Sequence, residues 1–325
     1  MELWNVYDKY RHKTDRIHER GQEMKPGDHH LVVHVWIVND DGQYLIQRRQ
    51  PWKIGFPNMW DCSAAGSAVM GDDSEQAAVR EAKEEIGIDL DIEKGEVIFT
   101  VKFSQGFDDI WLVRQNVGIE ELQLQEEEVA EARWASEEEI REMVENGEFI
   151  PFNYFDQLFE IVNSPISLQE ASLEDAEELL ALQREVFMPL YEKYKDHETS
   201  PVTQTMERFS ARFKRGEYYK ILFEGMLAGS VHVYEKSPGL LKLHIINILE
   251  KYHNKGIAQE VMKRLELMYP EAEAWELDTI LTEERNCYLY EKMGYKRTGE
   301  DKVINKDMTI IRYRKNSGLS KIESL

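Results

Sequence analysis

Between Gly66 and Ile88 the chain reads GSAVMGDDSEQAAVREAKEEIGI, and within it Glu81, Glu84 and Glu85 are spaced by three and four residues. At 3.6 residues per turn those carboxylates cluster on one side of a helix, while Val79, Ala82 and Ile86 form a seam on roughly the opposite side. Like charges at this spacing weaken a helix by roughly 0.2–0.5 kcal/mol per pair, so something must offset them. Two readings do so. Either the oxygens hold a divalent cation, or the face is solvated and Arg80 pairs with Glu84.

The elements around this stretch must position it. Gly66 and Gly71 suit a loop that bends or lies close to a ligand, Asp72 to Ser74 offer capping oxygens, and Gly87 stops the helix. Upstream, residues 2–24 read as a small strand or hairpin, and Leu31–Val38 and Tyr44–Arg48 form a hairpin across Asp40-Asp41-Gly42. The segment RRQPWKIGFPNMWDCSAAG then leads into the glycine. In it Arg49 and Lys53 are either two cations for a diphosphate or two solvated bases on a loop. His29, His30 and His34 raise a metal site as a possibility, with packed or surface histidines as the ordinary alternative. Downstream, Val97–Phe103 and Ile110–Val117 read as strands around a Gly106-Phe107-Asp108-Asp109 turn; Asp109 either joins the metal cluster or only makes the turn. A strand at Ala132–Ala135 is followed by a helix capped by Ser136, and Phe149–Val162 reads as a last helix before Asn163-Ser164-Pro165.

The spacing resembles the Nudix box, G-x5-E-x7-R-E-U-x-E-E-x-G-U with U aliphatic. Gly66, Arg80, Glu81, Glu84, Glu85, Gly87 and Ile88 fall in register; Asp72 stands where the box has Glu, and Ala82 at an aliphatic position. The resemblance implies that the Gly66 carbonyl and the carboxylates of Glu81, Glu84 and Glu85 hold Mg2+ or Mn2+, and that Arg80 orients a glutamate. From about Leu3 to Phe152, through HLVVHVWI, QRR and FPNMWD, the chain is similar to the branch that includes isopentenyl diphosphate isomerase. Those isomerases need a cysteine just before the first box glycine and a histidine just after it, and here stand Ala65 and Ser67. Without a thiol and a metal-bound imidazole, proton transfer at an allylic carbon lacks its agents, which leaves hydrolysis.

With 325 residues, 42% of them apolar, the chain has enough for two cores of ordinary size. A formal net charge of −22 argues against a nucleic-acid or anionic-membrane partner, so a phosphorylated small molecule must be met by local cations. Cys62 and Cys287 are too few and too far apart for a disulfide framework, and no apolar run is long enough to span a bilayer; a cytoplasmic protein is the expectation. Oligomeric state is open.

In the second half, SLEDAEELLALQREVF reads as a capped amphipathic helix and Thr203–Lys214 as another, with a polar, Pro-punctuated segment, MPLYEKYKDHETSP, between them. A hairpin across Glu224-Gly225-Met226 and a strand Leu241–Leu249, which contains Ile248, lead into EKYHNKGIAQEVMKRLE, where a loop with Gly256 and Ala258 opens a helix. Free amides and the positive helix end would there meet a pyrophosphate. From about Ile166 to Tyr313 this half resembles the GNAT acetyltransferases, with His253-Asn254-Lys255-Gly256-Ile257-Ala258 at the [QR]-x-x-G-x-[GA] loop and NCYLYEKMGY, Asn286 to Tyr295, at a later family element. The resemblance implies acetyl-CoA held at Ile248 and His253 and by amides from Asn254 through Gln259, Asn286 beside the pantetheine, Tyr290 as acid for the thiolate, and a small-molecule or peptide amine as acceptor. Tyr290 is alternatively a core aromatic. His253 departs from the usual Gln or Arg, and Glu250 puts negative charge where a proline is frequent. Glu224, His244 and Glu250 are candidates for a base by position alone.

The expected fold is therefore α/β (α+β): an α/β/α sandwich at 1–163, a mixed-sheet domain at 166–315 and a tail at 316–325. Either both halves are enzymes, or the second is a non-catalytic module that senses coenzyme A.

Overall fold

The computed structural model describes residues 2–317, so most of the expected tail lies outside the described residues. The chain divides into two compact units, the first gathering the described residues up to Asn163 together with Leu267–Glu271, the second those of Ser164–Glu266 and from Ala272 onward.

In the first unit, β1 (Leu3–Tyr7) and β2 (Lys13–Glu19) form the antiparallel hairpin anticipated for residues 2–24. The main sheet is built from β3 (His30–Val38), β4 (Tyr44–Arg49), β5 (Trp60–Asp61), β6 (Ala64–Ser67), β7 (Gly95–Phe103), β8 (Gly106–Arg114) and β9 (Val129–Ala135). Its order is β5-β4-β3-β8-β7, with β6 also pairing β3 and β9 pairing β4. The helices are α1 (Ser74–Glu85), α2 (Glu137–Glu145) and α3 (Phe155–Val162). The nearly unbroken apolar run of β3 follows from burial on both faces. Val33, Val35 and Ile37 enter the core that holds Ala78 and Ala82 of α1, while Trp36 and Val38 enter the core of Ile140, Leu158 and Phe159 from α2 and α3.

Two boundaries differ from the sequence reading. Gly106 to Asp109 is strand, and the turn falls one step earlier, at Ser104-Gln105. Gly106 serves close approach: a Cβ there would stand 2.5 Å from Phe103 Cζ and 2.6 Å from the His30 carbonyl oxygen. The last helix starts only at Phe155, beyond Pro151, and Phe149 is buried beside Trp60 as a bridge residue.

The second unit comprises β10 (Ile166–Glu170), α4 (Ala176–Tyr194), α5 (Met206–Ser210), β11 (Glu217–Phe223), β12 (Met226–Ser237), β13 (Leu240–Ile248), α6 (Ile257–Met268), β14 (Ala274–Ile280), α7 (Glu284–Lys292), β15 (Lys296–Asn305) and β16 (Met308–Asn316). Its seven strands run β10-β11-β12-β13-β14-β16-β15, antiparallel except for β13 with β14. That parallel pairing covers only Leu240–Leu243 against Ala274–Leu277. Both strands continue beyond it.

The first half of the polar segment MPLYEKYKDHETSP belongs to α4. α4 carries Pro189 inside it and runs to Tyr194, whose hydroxyl is held by Thr282 Oγ1 at 2.7 Å and Glu283 Oε1 at 2.6 Å. Anchoring that end offsets the hydrogen bond lost at the proline. The helix expected at Thr203–Lys214 is instead the short α5 followed by a 3-10 turn, Ala211–Lys214. Among the described residues no helix is long and apolar enough to cross a membrane.

Candidate functional site

α1 begins with a capping box, Asp73 accepting from Gln76 N and Gln76 returning to the Asp73 amide, so the first turn is fixed against the loop from Gly66. Glu81 then lies directly over β6: a Cβ on Gly66 would fall 2.1 Å from Glu81 Oε1, so only glycine leaves room for that carboxylate. Glu85 reaches the same strand from the next turn. It is 6% exposed and accepts from the Ala65 amide at 3.1 Å and from Gln47 Nε2 at 2.7 Å. Burial, then the Glu81 and Asp61 charges, push its carboxyl up to about 8, and burial also raises that of Glu81. Gln47 Oε1 is buried with no hydrogen-bond partner among the described residues.

Glu84 stands apart, its side chain 55% exposed. The three carboxylates do not converge on a point, and among the described residues no group of three acidic, histidine or cysteine side chains is arranged to hold an ion. The reason is Arg80, which takes the position between them. Its guanidinium donates to Glu81 at 2.8 Å, Glu84 at 3.3 Å, Asp72 at 2.9 Å and the Ser67 carbonyl at 3.0 Å. The shorter Asp72 is thus engaged with the arginine. The residues still fit a divalent cation: two carboxylates of α1 held against one strand, an amide oxygen beside them without a partner among the described residues, and a glycine that admits the approach.

Arg49 and Lys53 are not solvated bases. Arg49 donates to Asp61 Oδ2 and to the Gly55 carbonyl, each at 3.0 Å, and Lys53 pairs with Glu128. Burial and then the Arg49 charge lower the Lys53 ammonium, with Glu85 acting in the opposite sense.

Asp109 is fully buried on Arg11 at 2.5 Å and Thr100 Oγ1 at 2.7 Å, away from the turn expected for it. Asp108 instead faces His34, Nδ1 to Oδ2 3.1 Å, and Tyr154 shares the same nitrogen at 2.8 Å. Burial pushes the Asp108 carboxyl up to about 6, and its other oxygen has no partner among the described residues. This cluster was not recognised in sequence because a two-aspartate run after glycine reads as a turn. His30 stacks on Trp4 at 4.4 Å and His29 is packed against Phe107, so the three histidines do not form one site.

In the second unit, the loop between β13 and α6 is shaped by Asn254 (φ 63°) and Gly256 (φ 78°). His253 Nε2 sits 2.9 Å from the Ile248 carbonyl and ties the loop back to the strand end. Lys255 covers the Phe223 ring, its Nζ 4.4 Å from the centroid. Glu260 N takes the Gly256 carbonyl, which leaves the amides ahead of it, through Ile257, Ala258 and Gln259, at the open start of α6. Asn286 lies in the first turn of α7, its amide on the Glu283 carbonyl. Tyr290 is 7% exposed, packed with Tyr295 and Tyr313, and burial pushes its hydroxyl up to about 12. An open hollow of about 330 Å3, bordered by Phe213, Arg215, Tyr218, Glu170 and Glu217, contains none of the residues expected to bind cofactor or metal.

Residues 28–156 match the model of the NUDIX domain, and residues 188–317 match that of the acetyltransferase (GNAT) domain. An uncharacterized Nudix hydrolase of Listeria monocytogenes is 46% identical over 164 residues, half of this chain and 97% of the relative. Isopentenyl-diphosphate Delta-isomerase of an Enterobacter strain is 38% identical over only 61 residues, 33% of its length. Among solved structures, a Deinococcus radiodurans protein covers 50% of this chain and 99% of its own, at 21% identity and a TM-score of 0.42. A PaiA N-acetyltransferase of Thermoplasma acidophilum, solved with coenzyme A, covers 45% of this chain and 97% of its own, at 16% identity and a TM-score of 0.37.

Proposed function

The chain belongs to the Nudix family through its N-terminal half and carries a GNAT acetyltransferase domain in its C-terminal half, and from that premise we propose that the first domain hydrolyses a diphosphate linkage in a small molecule with the help of Mg2+ or Mn2+. The observation that carries this reading is the pair formed by Glu81 over Gly66 and Glu85 buried on Ala65, two acidic groups pressed toward one strand, with Arg80 bonded to Glu81. Glu81, Glu84 and Glu85, with the Gly66 carbonyl, would hold the cation, which when bound supplies positive charge against the phosphoryl oxygens. Arg80 keeps Glu81 oriented. Arg49 and Lys53 bind the diphosphate by exchanging Asp61 and Glu128 for phosphate oxygens, and a carboxylate of the set takes the proton of the attacking water as the bridging P–O bond breaks. Product release over a panel of nucleotide and isoprenoid diphosphates, with and without Mg2+, tests it: activity that survives both Glu84→Gln and Glu85→Gln rules the assignment out.

The second domain is read as an acetyl-CoA-dependent N-acetyltransferase, with the cofactor's pyrophosphate at the amides opening α6. The burial of Tyr290 among other tyrosines favours the alternative that this domain binds coenzyme A without turnover. Calorimetry with acetyl-CoA followed by a thiol-release assay separates them. Binding without release supports the sensor, and no binding defeats both.

A further inference from the structure

Gln47 of β4 stands beside the candidate cation site with its own hydrogen bonding incomplete. It is 2% exposed, and its Oε1 is sealed from solvent without a partner among the described residues. A buried acceptor left unpaired is unfavourable, so the amide keeps this orientation only because its other end is held. That end is Nε2, which donates to Glu85 Oε2 at 2.7 Å. Turning the amide over would set Oε1 against an oxygen that already accepts from the Ala65 amide at 3.1 Å, acceptor against acceptor. Glu85 therefore dictates which way the amide faces.

The strands explain why two donors meet on that one oxygen. The Ala68 amide donates to the Leu31 carbonyl at 2.9 Å, and successive pairs of an antiparallel ladder alternate between bonded and non-bonded. Ala65, opposite His34, falls at a non-bonded pair, so its amide turns away from β3 and is free to reach Glu85. On β4, Gln47 lies opposite Asp61 and shares a face with Leu45, which enters the core of Ala78 and Ala82 from α1. One donor from β6 and one from β4 thus converge on a side chain carried by α1.

The consequence lies in the oxygen left over. Glu85 Oε1 takes no hydrogen bond among the described residues, and it is not sealed from solvent as Gln47 Oε1 is. A carboxylate with both donors on one oxygen presents the other in a fixed direction, which lowers the ordering cost when a cation arrives. With Ala65 as its single donor, the carboxylate could turn.

We infer that Gln47 is a positioning residue of the cation site: its amide pins Glu85 Oε2 so that Oε1 is the oxygen offered to a divalent cation. The inference rests on the metal-dependent reading of the first domain. Gln47 is uncharged, so replacing it by another neutral side chain leaves the net charge at the site as it was.

Mn2+ binding is measured by electron paramagnetic resonance, alongside thermal melts, in the unaltered chain, in Gln47→Met and in Gln47→Leu. Both replacements occupy the place of the amide without a donor, and both also remove the unpaired Oε1, so one lost hydrogen bond is offset by one buried orphan removed. Expected are a Tm within a few degrees of the unaltered chain and an Mn2+ affinity lower by about ten- to a hundredfold. In nitrogen-correlated NMR of the Mg2+-loaded chain, the Gln47 side-chain amide, assigned by its loss in Gln47→Met, should keep a slowly exchanging proton, since its bond to Glu85 persists when the cation binds. Unchanged Mn2+ affinity in the variants, a fall in Tm of more than about ten degrees in both, which would make Gln47 a packing residue, or a rapidly exchanging amide in the loaded chain each overturns the inference. If the unaltered chain binds Mn2+ and the variants bind it equally, this inference falls alone; if the unaltered chain binds none, the metal-dependent reading falls with it.

Discussion

At Glu85 and Asp108 the first domain buries carboxyl groups without a full complement of partners, and each carries a consequence that a single substitution reads. Asp108 is pushed up to about 6 by burial, against a usual value of 3.8. A carboxyl raised on folding favours the native state most when protonated, so its contribution is complete below pH 3.8 and is lost as pH rises through about 6. Asp108→Asn should therefore stabilise the protein at pH 7.5 relative to wild type, by at most about 3 kcal/mol at 1.36 kcal/mol per pKa unit, and show little of that gain at pH 4. Thermal melts of both proteins across pH 4–8 measure it; a gain that is the same at both ends contradicts the burial argument. At the neighbouring site, Glu85→Gln removes an acidic group and keeps the Gln47 and Ala65 contacts within reach, so the fold should survive while diphosphate hydrolysis falls by about two orders of magnitude or more.

Among the elements, the strand-to-helix unit of β6 and α1 carries the account. Gly66→Ala brings a Cβ to 2.1 Å from Glu81 Oε1, the far end of a flexible side chain, so Glu81 can swing away at small cost in stability. Expected are a Tm within a few degrees of wild type and a loss of about ten- to a hundredfold in metal affinity, read by Mn2+ titration. Unchanged affinity would mean that the glycine serves only the backbone. This unit was legible in sequence because spacing, capping residues and terminating glycine agree, and all are local. The separation of the three glutamates, which the spacing had placed together, was not, since Arg80 bonds Glu81 and Glu84 at once while Glu85 turns inward to Gln47, a residue thirty-eight positions away. For the same reason Asp108-Asp109 read as a turn: their partners His34, Arg11 and Thr100 come from three other strands or loops. Pro189 likewise signalled a break that the Tyr194 anchor on Thr282 and Glu283 overrides.

For the whole molecule, the chain divides into two compact units, and each has its own sheet and core. Substitutions in one candidate site should then leave the other intact: Glu84→Gln with Glu85→Gln should not change acetyl-CoA affinity by more than about twofold in calorimetry. A larger change would show that the two sites are energetically coupled. The central claim concerns Glu81 and Glu85 and the ion they would share. Its most direct test counts bound Mn2+ by electron paramagnetic resonance, in the full chain and in its Glu85→Gln form, at protein concentrations above the expected Kd. The account predicts tightly bound Mn2+ in the unaltered chain that is lost in Glu85→Gln; equal Mn2+ binding by the two would contradict it.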